Sequence, residues 1–320
     1  MRLSVIVPFC NEYCQILFTL QSINQALRDG GFDYEVIAVN NFCDEVAKQV
    51  VDGKNRVEDK GADAVKACAG RGNKWLRYLH YKNKLSHWQA KNLGVQNSTG
   101  DFLWFVDAHC VAGISIVRML NFYEKHHDEL NGTMHLPLTY KILEGHRLIY
   151  KLVWVPETHE LHYSFTTYRD SQEPYEVAAM STCGMLMSRR VYDKLGGWPK
   201  ELGIYGGGEN FINYALATMG MKKWIYPDEP LYHHGEKRGY NWNYDDSLRN
   251  RFIAYFCACG RDFAEKAMEG SKGRPQTKRN ILDDVIAKCS DHQKLIERQR
   301  KYTIYEWLSR WEKDNSIKGE

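Results

Sequence analysis

Apolar positions in the first hundred residues change period several times, and each change marks an element. Leu3 to Phe9 is a β-branched, apolar run of the kind that forms a fully buried strand. From Tyr13 to Leu27 the apolar residues Ile16, Leu17, Leu20, Ile23 and Leu27 fall at helical spacing and stop at Gly30-Gly31. Tyr34 to Val39 predicts a second strand ending in Asn40 and Asn41, and a helix is expected to start near Asp44. Val57 to Cys68 reads as a short surface helix and Trp75 to Tyr81 as a third strand. Ser86 to Asn97 reads as a helix bearing Trp88, Lys91 and Asn92, and Phe102 to Val106 as a strongly apolar strand. Strand and helix alternate, which predicts an α/β fold with an open, mainly parallel sheet flanked by helices.

Ligands of such sheets sit beyond the carboxyl ends of the strands, so Asn11, Asn41 and Asp107 are expected to converge on one crevice. Residues Met134 to Ala179 are rich in aromatic side chains and poor in helix signals, suggesting extra strands and loops at one end of the sheet. Beyond Asn250 the chain turns helical and charged, with a break from Gly270 to Pro275. With 320 residues one large core plus an appendage is expected: an α/β domain over 1–245, in halves of about 1–110 and 111–245, and a helical C-terminal region over 246–320.

Composition narrows the class. Hydrophobic residues make up 43% and charged ones 26%, both ordinary for a globular chain. No stretch approaches the roughly 18 uninterrupted apolar residues of a membrane helix. Pro8, Asn11 and Glu12 break the opening run, which fits a buried strand better than a signal peptide. Nine cysteines, an odd number, are scattered with Cys257 and Cys259 as the tightest couple. That argues for reduced thiols in a cytoplasmic setting and against zinc. A net charge of +3 is too small to imply a polyanion partner by itself.

Three clusters carry candidate chemistry. Asp107 and His109 follow the buried strand two positions apart, and side chains that alternate along extended chain can reach one cavity, where a divalent cation could use both. Gly206 to Gly208 free the backbone before Glu209, which opens an apolar helical stretch and could act as a base or orient an acceptor hydroxyl. His233 and His234 precede Lys237, Arg238 and Tyr240; imidazoles suit a metal and the cations suit a diphosphate. The structural alternatives are a solvated turn, a helix cap and a basic loop.

Taken in order, these pieces resemble the GT-A nucleotide-sugar glycosyltransferases, and among them the polypeptide N-acetylgalactosaminyltransferases more than the large inverting family two. The resemblance covers roughly residues 3 to 240 and rests on SVIVPFCNE, VDAHC, GGEN and a histidine after a Pro-containing strand. It implies a Rossmann-like GT-A fold and a hexosyltransferase. Asp107, His109 and His233 would hold a divalent metal, manganese with magnesium as the alternative; the spacing from Pro227 favours His233 for this role, with His234 as the alternative. Pro8 and Asn41 would line the base pocket of a UDP-sugar, with Asn11, Glu12 and Lys91 at the donor. Tyr240 with Lys237 or Arg238 would close over the diphosphate.

Asn40 and Asn41 stand where the family has two aspartates, and Tyr205 where it has Trp. In the inverting relatives the loop commonly reads Glu-Asp, and Asn210 cannot remove a proton, which favours retention, with Glu209 and Asn210 as the catalytic pair. Inversion with Glu209 as base is the alternative, and a non-catalytic sugar-binding module a third. A nucleotidyltransferase would need a basic, Gly-rich loop after the first strand, and Phe9-Cys10-Asn11-Glu12 is not one. For the acceptor, the basic residues Lys272, Arg274, Lys278, Arg279, Arg298, Arg300 and Lys301 beside Tyr302, Tyr305 and Trp307 suggest a nucleic acid, namely DNA with hydroxymethylated bases.

Overall fold

The computed structural model describes residues 2–49, 58–59, 61–141, 144–234 and 240–316. Its first half alternates as the pattern predicts. Strand β1 (Arg2–Phe9) leads to α1 (Gln15–Asp29), β2 (Asp33–Asn40), the single turn α2 (Asp44–Ala47) and α3 (Ala62–Gly70). Then come β3 (Leu76–His80), α4 (His87–Gln96) and β4 (Phe102–Phe105). The expected helix start at Val57 lies outside the described residues. After β5 (Cys110–Val111), helix α5 (Ser115–Leu130) precedes five strands, β6 (Gly132–His135), β7 (Leu138–Thr139), β8 (Leu148–Val155), β9 (Glu160–Thr167) and β10 (Tyr175–Glu176). The chain continues through β11 (Met185–Ser188), α6 (Arg189–Leu195), α7 (Gly208–Thr218), β12 (Lys222–Ile225) and β13 (Leu231–His233). Helices α8 (Tyr244–Ala254), α9 (Arg261–Gly270), α10 (Pro275–Glu297) and α11 (Ile304–Ser316) complete it, with a π-helical turn at Tyr255–Cys259.

The main sheet runs β10-β12-β6-β11-β4-β1-β2-β3. Strands β1 to β4 are mutually parallel where they pair, and β11 is antiparallel to both β4 and β6. Alternation along β1 supplies two cores. Leu3, Val5 and Val7 pack with α1, α3 and α5 on one face, while Ile6 packs with α4, α6 and α7 on the other. The C-terminal helices join that second core through Phe252, Phe263, Leu282 and Leu308, so the region after 245 is built onto the sheet's covering layer.

A second sheet, ordered β5-β13-β7-β8-β9, rises from the end of β4. The aromatic stretch predicted as extra strands is mostly its β8–β9 hairpin, paired from Leu148↔Thr167 to Val155↔Glu160. Leu161 at the start of β9 is fully buried in the core shared with α7, and its carbonyl accepts the hydroxyls of Tyr214 and Tyr255. That anchorage fixes the hairpin over the N-terminus of α7.

One buried histidine, His135, and one half-buried, His292, should make the fold acid-sensitive. Burial lowers the pKa of both His135 and His292 from 6.5 to about 4, and neither Nε2 has a hydrogen-bond partner among the described residues. The unfolded chain therefore binds more protons between these values, so stability is present above pH 6.5 and is lost as pH falls toward 4. Denaturant midpoints measured across that window should fall, and His135→Leu with His292→Leu should flatten the slope.

Candidate active site

Asp107 lies two residues past β4, where the chain leaves the main sheet to enter β5. The antiparallel pairing of β13 with β5 sets Cys110 opposite His233, and His234 N–H donates to the His109 carbonyl at 2.8 Å. This register delivers a residue from late in the chain to the D-x-H turn. His233 Nε2 lies 3.1 Å from His109 Nε2 and 3.5 Å from Asp107 Oδ2. The neighbouring His234 faces the other way, with Nδ1 3.0 Å from the Tyr232 hydroxyl. Strand alternation thus separates the two histidines, and His233, which the spacing from Pro227 favours, is the one beside Asp107.

Two further groups condition the cluster. Glu12 Oε2 is 3.2 Å from His109 Nδ1. A carboxylate only accepts, so Nδ1 carries the proton and Nε2 presents its lone pair to the space shared with His233 and Asp107. Lys91 is fully buried on α4 beneath Asp107, its Nζ 3.6 Å from Oδ1 and 4.9 Å from the Trp88 ring centroid. Burial alone would raise the Asp107 carboxyl's pKa, but the Lys91 ammonium, then His233 and His109, hold it well below the usual carboxylate range. The set fits a divalent cation: one anionic oxygen and two imidazole nitrogens lie within 4.8 Å of one another, a carboxylate fixing one tautomer behind them.

The crevice beside this cluster is lined by Pro8, Phe9, Cys10, Glu12, Asn41, His87, Asp107, Ala108, His109, Ile204 and Tyr240. Pro8, Glu12, Asn41, Asp107, His109 and Tyr240 were anticipated. Asn11, in the left-handed region at φ 60°, turns the chain there but does not line the cavity. Asn41 presents a surface, but its amide is spent inward, donating to the Tyr81 and Lys84 carbonyls and accepting from Ser86 N–H. Lys91 reaches the crevice only through Asp107. Lys237 and Arg238 lie outside the described residues. His87, Cys10 and Ile204 carried no sequence signal, since only the fold brings the α4 N-terminus and the loop before α7 to the ends of β1 and β2.

Glu209 stands in the first turn of α7. Its Oε1 accepts from Ser181 Oγ (3.1 Å), Thr182 N–H (2.9 Å) and Thr182 Oγ1 (3.2 Å), and Oε2 accepts from the Tyr163 hydroxyl (2.6 Å). The glycines before it are required by space. At Gly207, with φ 73°, a Cβ would sit 2.2 Å from the Asn250 carbonyl, and at Gly208 2.2 Å from the Trp88 ring. Asn210, expected at the reacting centre, is buried and donates to the Tyr214 hydroxyl one turn along the helix. Between Glu209 and His233 the second sheet lays down rings in contact: Tyr163 stacks on Tyr150 at 4.8 Å, Tyr150 meets Phe165, Phe165 meets Tyr140, and Tyr140 meets His233 at 4.9 Å.

The profile of glycosyl transferase family 2 matches residues 4–196, more than half of the chain and the part that builds β1 to β4 and the D-x-H turn. The chain belongs to this family. This family-2 chain is 29% identical over 107 residues to an uncharacterized glycosyltransferase of Rickettsia bellii, a match covering 33% of this chain and 13% of that protein. Its fold is similar to that of GalNAc-T7, solved with UDP, GalNAc and Mn2+, at a TM-score of 0.63 and 13% identity over 91% of this chain and 57% of that one. It also resembles S. aureus TarS 1–349 in complex with UDP-GlcNAc, at 0.51 and 14% over 91% and 73%. The fold is GT-A, as the motifs implied. No helix among the described residues is long and apolar enough to cross a membrane.

The Glu209 cradle has a measurable consequence. Glu209→Ala would leave the Thr182 N–H and its neighbours without an acceptor, costing about 1–3 kcal/mol in denaturant unfolding. Glu209→Gln keeps an oxygen for Thr182 and turns an N–H toward Tyr163, whose hydroxyl can accept, so it should retain most of that stability.

Proposed function

We propose that this protein is a metal-dependent glycosyltransferase that moves a sugar from a nucleoside diphosphate donor to an acceptor hydroxyl in the crevice between Asp107 and Glu209. The observation that carries this reading is the convergence of Asp107, His109 and His233 at the end of β4 in a family-2 chain. Asp107, His109 and His233 would hold the cation, manganese by analogy with the Mn2+ complex of GalNAc-T7. A bound dication offsets negative charge that grows on the departing diphosphate. The protein's own part is to fix that position: Glu12 orients His109, and Lys91 keeps Asp107 ionised.

A uridine base is the donor reading we favour. Asp59, at the end of β2 through its bond to Asn40 Nδ2 (2.7 Å), has Oδ1 buried without a hydrogen-bond partner among the described residues. Uracil presents a ring N–H that such an oxygen would accept. Pro8 and the β2 end would flank the ring, and Tyr240 would lie over the phosphates. The acceptor we place against Tyr140, Tyr150, Tyr163 and Phe165, where flat rings suit a sugar face. The hydroxymethylated-DNA reading loses two of its cations to internal work. Lys278 donates to the Glu269 and Ser271 carbonyls, and Arg300 to those of Ala258 and Cys259. Trp307 is buried as well.

Retention is the stereochemistry this arrangement supports, because Glu209, the nearest alternative to a free base, already accepts four hydrogen bonds. The family match favours a second reading, inversion with Glu209 as base. Proton NMR of the first product formed separates them: the donor's anomeric configuration kept supports retention, and its opposite returns Glu209 to proton removal.

Asp107→Ala and His233→Ala should each lower transfer by about two to three orders of magnitude, the scale of removing one preorganised charge stabiliser. Both should abolish the bound Mn2+ signal in electron paramagnetic resonance; the unfolding midpoint of His233→Ala should stay near wild type, whereas Asp107→Ala should also lower it, because the buried Lys91 ammonium loses its carboxylate. Full activity in EDTA would overturn the metal-dependent reading.

A further inference from the structure

A second group of ligand-type side chains adjoins the Asp107–His109 cluster. Cys110 and Cys183, both buried, bring their sulfurs to 3.3 Å, and a ring nitrogen of His233 lies within 4.8 Å of both. The register explains the grouping, since directly opposed residues in an antiparallel pair share a face and Cys110 is opposed to His233. His233 meets Asp107 and His109 through Nε2, while its Nδ1 is buried with no hydrogen-bond partner among the described residues. One imidazole is therefore shared by two donor sets of different softness, a carboxylate with an imidazole and a pair of thiols.

We propose that Cys110, Cys183 and His233 form a second cation site, for a thiophilic ion such as Zn2+, whose occupation withdraws His233 from the Asp107–His109 site. Thiolates and imidazole are the ligands such ions prefer, whereas the Asp107–His109 side of the ring offers no sulfur and one carboxylate oxygen, the donor that suits manganese. Tetrahedral bonds of about 2.3 Å to sulfur separate two thiolates by about 3.8 Å, roughly half an ångström more than the present spacing. On binding, each S–H bond is replaced by a bond to the metal and each proton leaves to solvent. Exclusion follows from the ring: a neutral imidazole has one lone pair, so a ring that gives Nδ1 to one ion carries its proton on Nε2. Cysteine spacing in the sequence argued against zinc because these two thiols lie 73 residues apart and meet only in the fold.

The existence of the thiol site stands apart from the glycosyltransferase reading, and only the exclusion rests on it. Co2+, a spectroscopic stand-in for Zn2+, is titrated into the full chain under a phosphine reductant. A sulfur-to-cobalt charge-transfer band is expected, displaced by Zn2+ and lost in Cys110→Ser and Cys183→Ser. Zn2+ affinity in Cys183→Ser should fall by more than about tenfold, since losing a ligand costs at least what losing an outer-shell partner does. Bound Mn2+, read by paramagnetic resonance, should fall in the Zn2+-loaded wild type and be restored in Zn2+-treated Cys183→Ser. No band at saturating Co2+ with thiols shown free by titration overturns the site. A band with unchanged Mn2+ binding overturns the exclusion, and no Mn2+ binding even without zinc overturns the Asp107 reading while leaving the band to decide the thiol site.

Discussion

The pairing of β13 with β5 is the constraint on which the candidate site depends. It is short, two residues on each strand, yet it joins the end of the main sheet to the second sheet. Through it the D-x-H turn acquires His233, Cys110 gains an opposed imidazole, and the aromatic hairpin is attached at β7. A one-residue slip would exchange His233 for His234 and send the imidazole toward Tyr232. Register, more than the identity of any one ligand, is therefore what the neighbouring packing must protect, and fully buried Leu231 at the start of β13 provides some of that packing.

Much of the main sheet was legible in the chain. Buried β1, the alternation to β4, the break at Gly270 to Pro275 and the position of Asp107 all follow from local periodicity, because each element buries a face that its own sequence marks. Helix α5 went unpredicted although Ile116, Met119, Leu120 and Tyr123 carry helical spacing; it lies between the D-x-H turn and the aromatic stretch. The second sheet was foreseen as strands but not as a separate layer, since its two- and three-residue members have no period to read.

At the site the division is similar. Asp107 and His109 announce themselves by standing at a strand end. The spacing from Pro227 leans toward His233, but what sets it apart from His234 is a pairing partner more than a hundred residues away, and the cradle around Glu209 on Ser181, Thr182 and Tyr163 depends on two other elements. Asn210 and Lys91 show the opposite case. Asn210 follows Glu209 in the motif, yet helix geometry turns it into the core, and Lys91 lies underneath Asp107.

Lys91 bears on the order of assembly. The crevice cluster contains two carboxylates, Asp107 and Glu12, and one ammonium that the solvent does not reach. These side chains leave about one net negative charge to meet a dication, which is too little to neutralise it. The balance would have to come from the donor's own phosphates. Ion and nucleotide would then each improve the other's affinity by the same factor, by thermodynamic reciprocity. Such a centre would hold the ion more tightly while the nucleotide is bound and let it go more readily once the nucleotide has left.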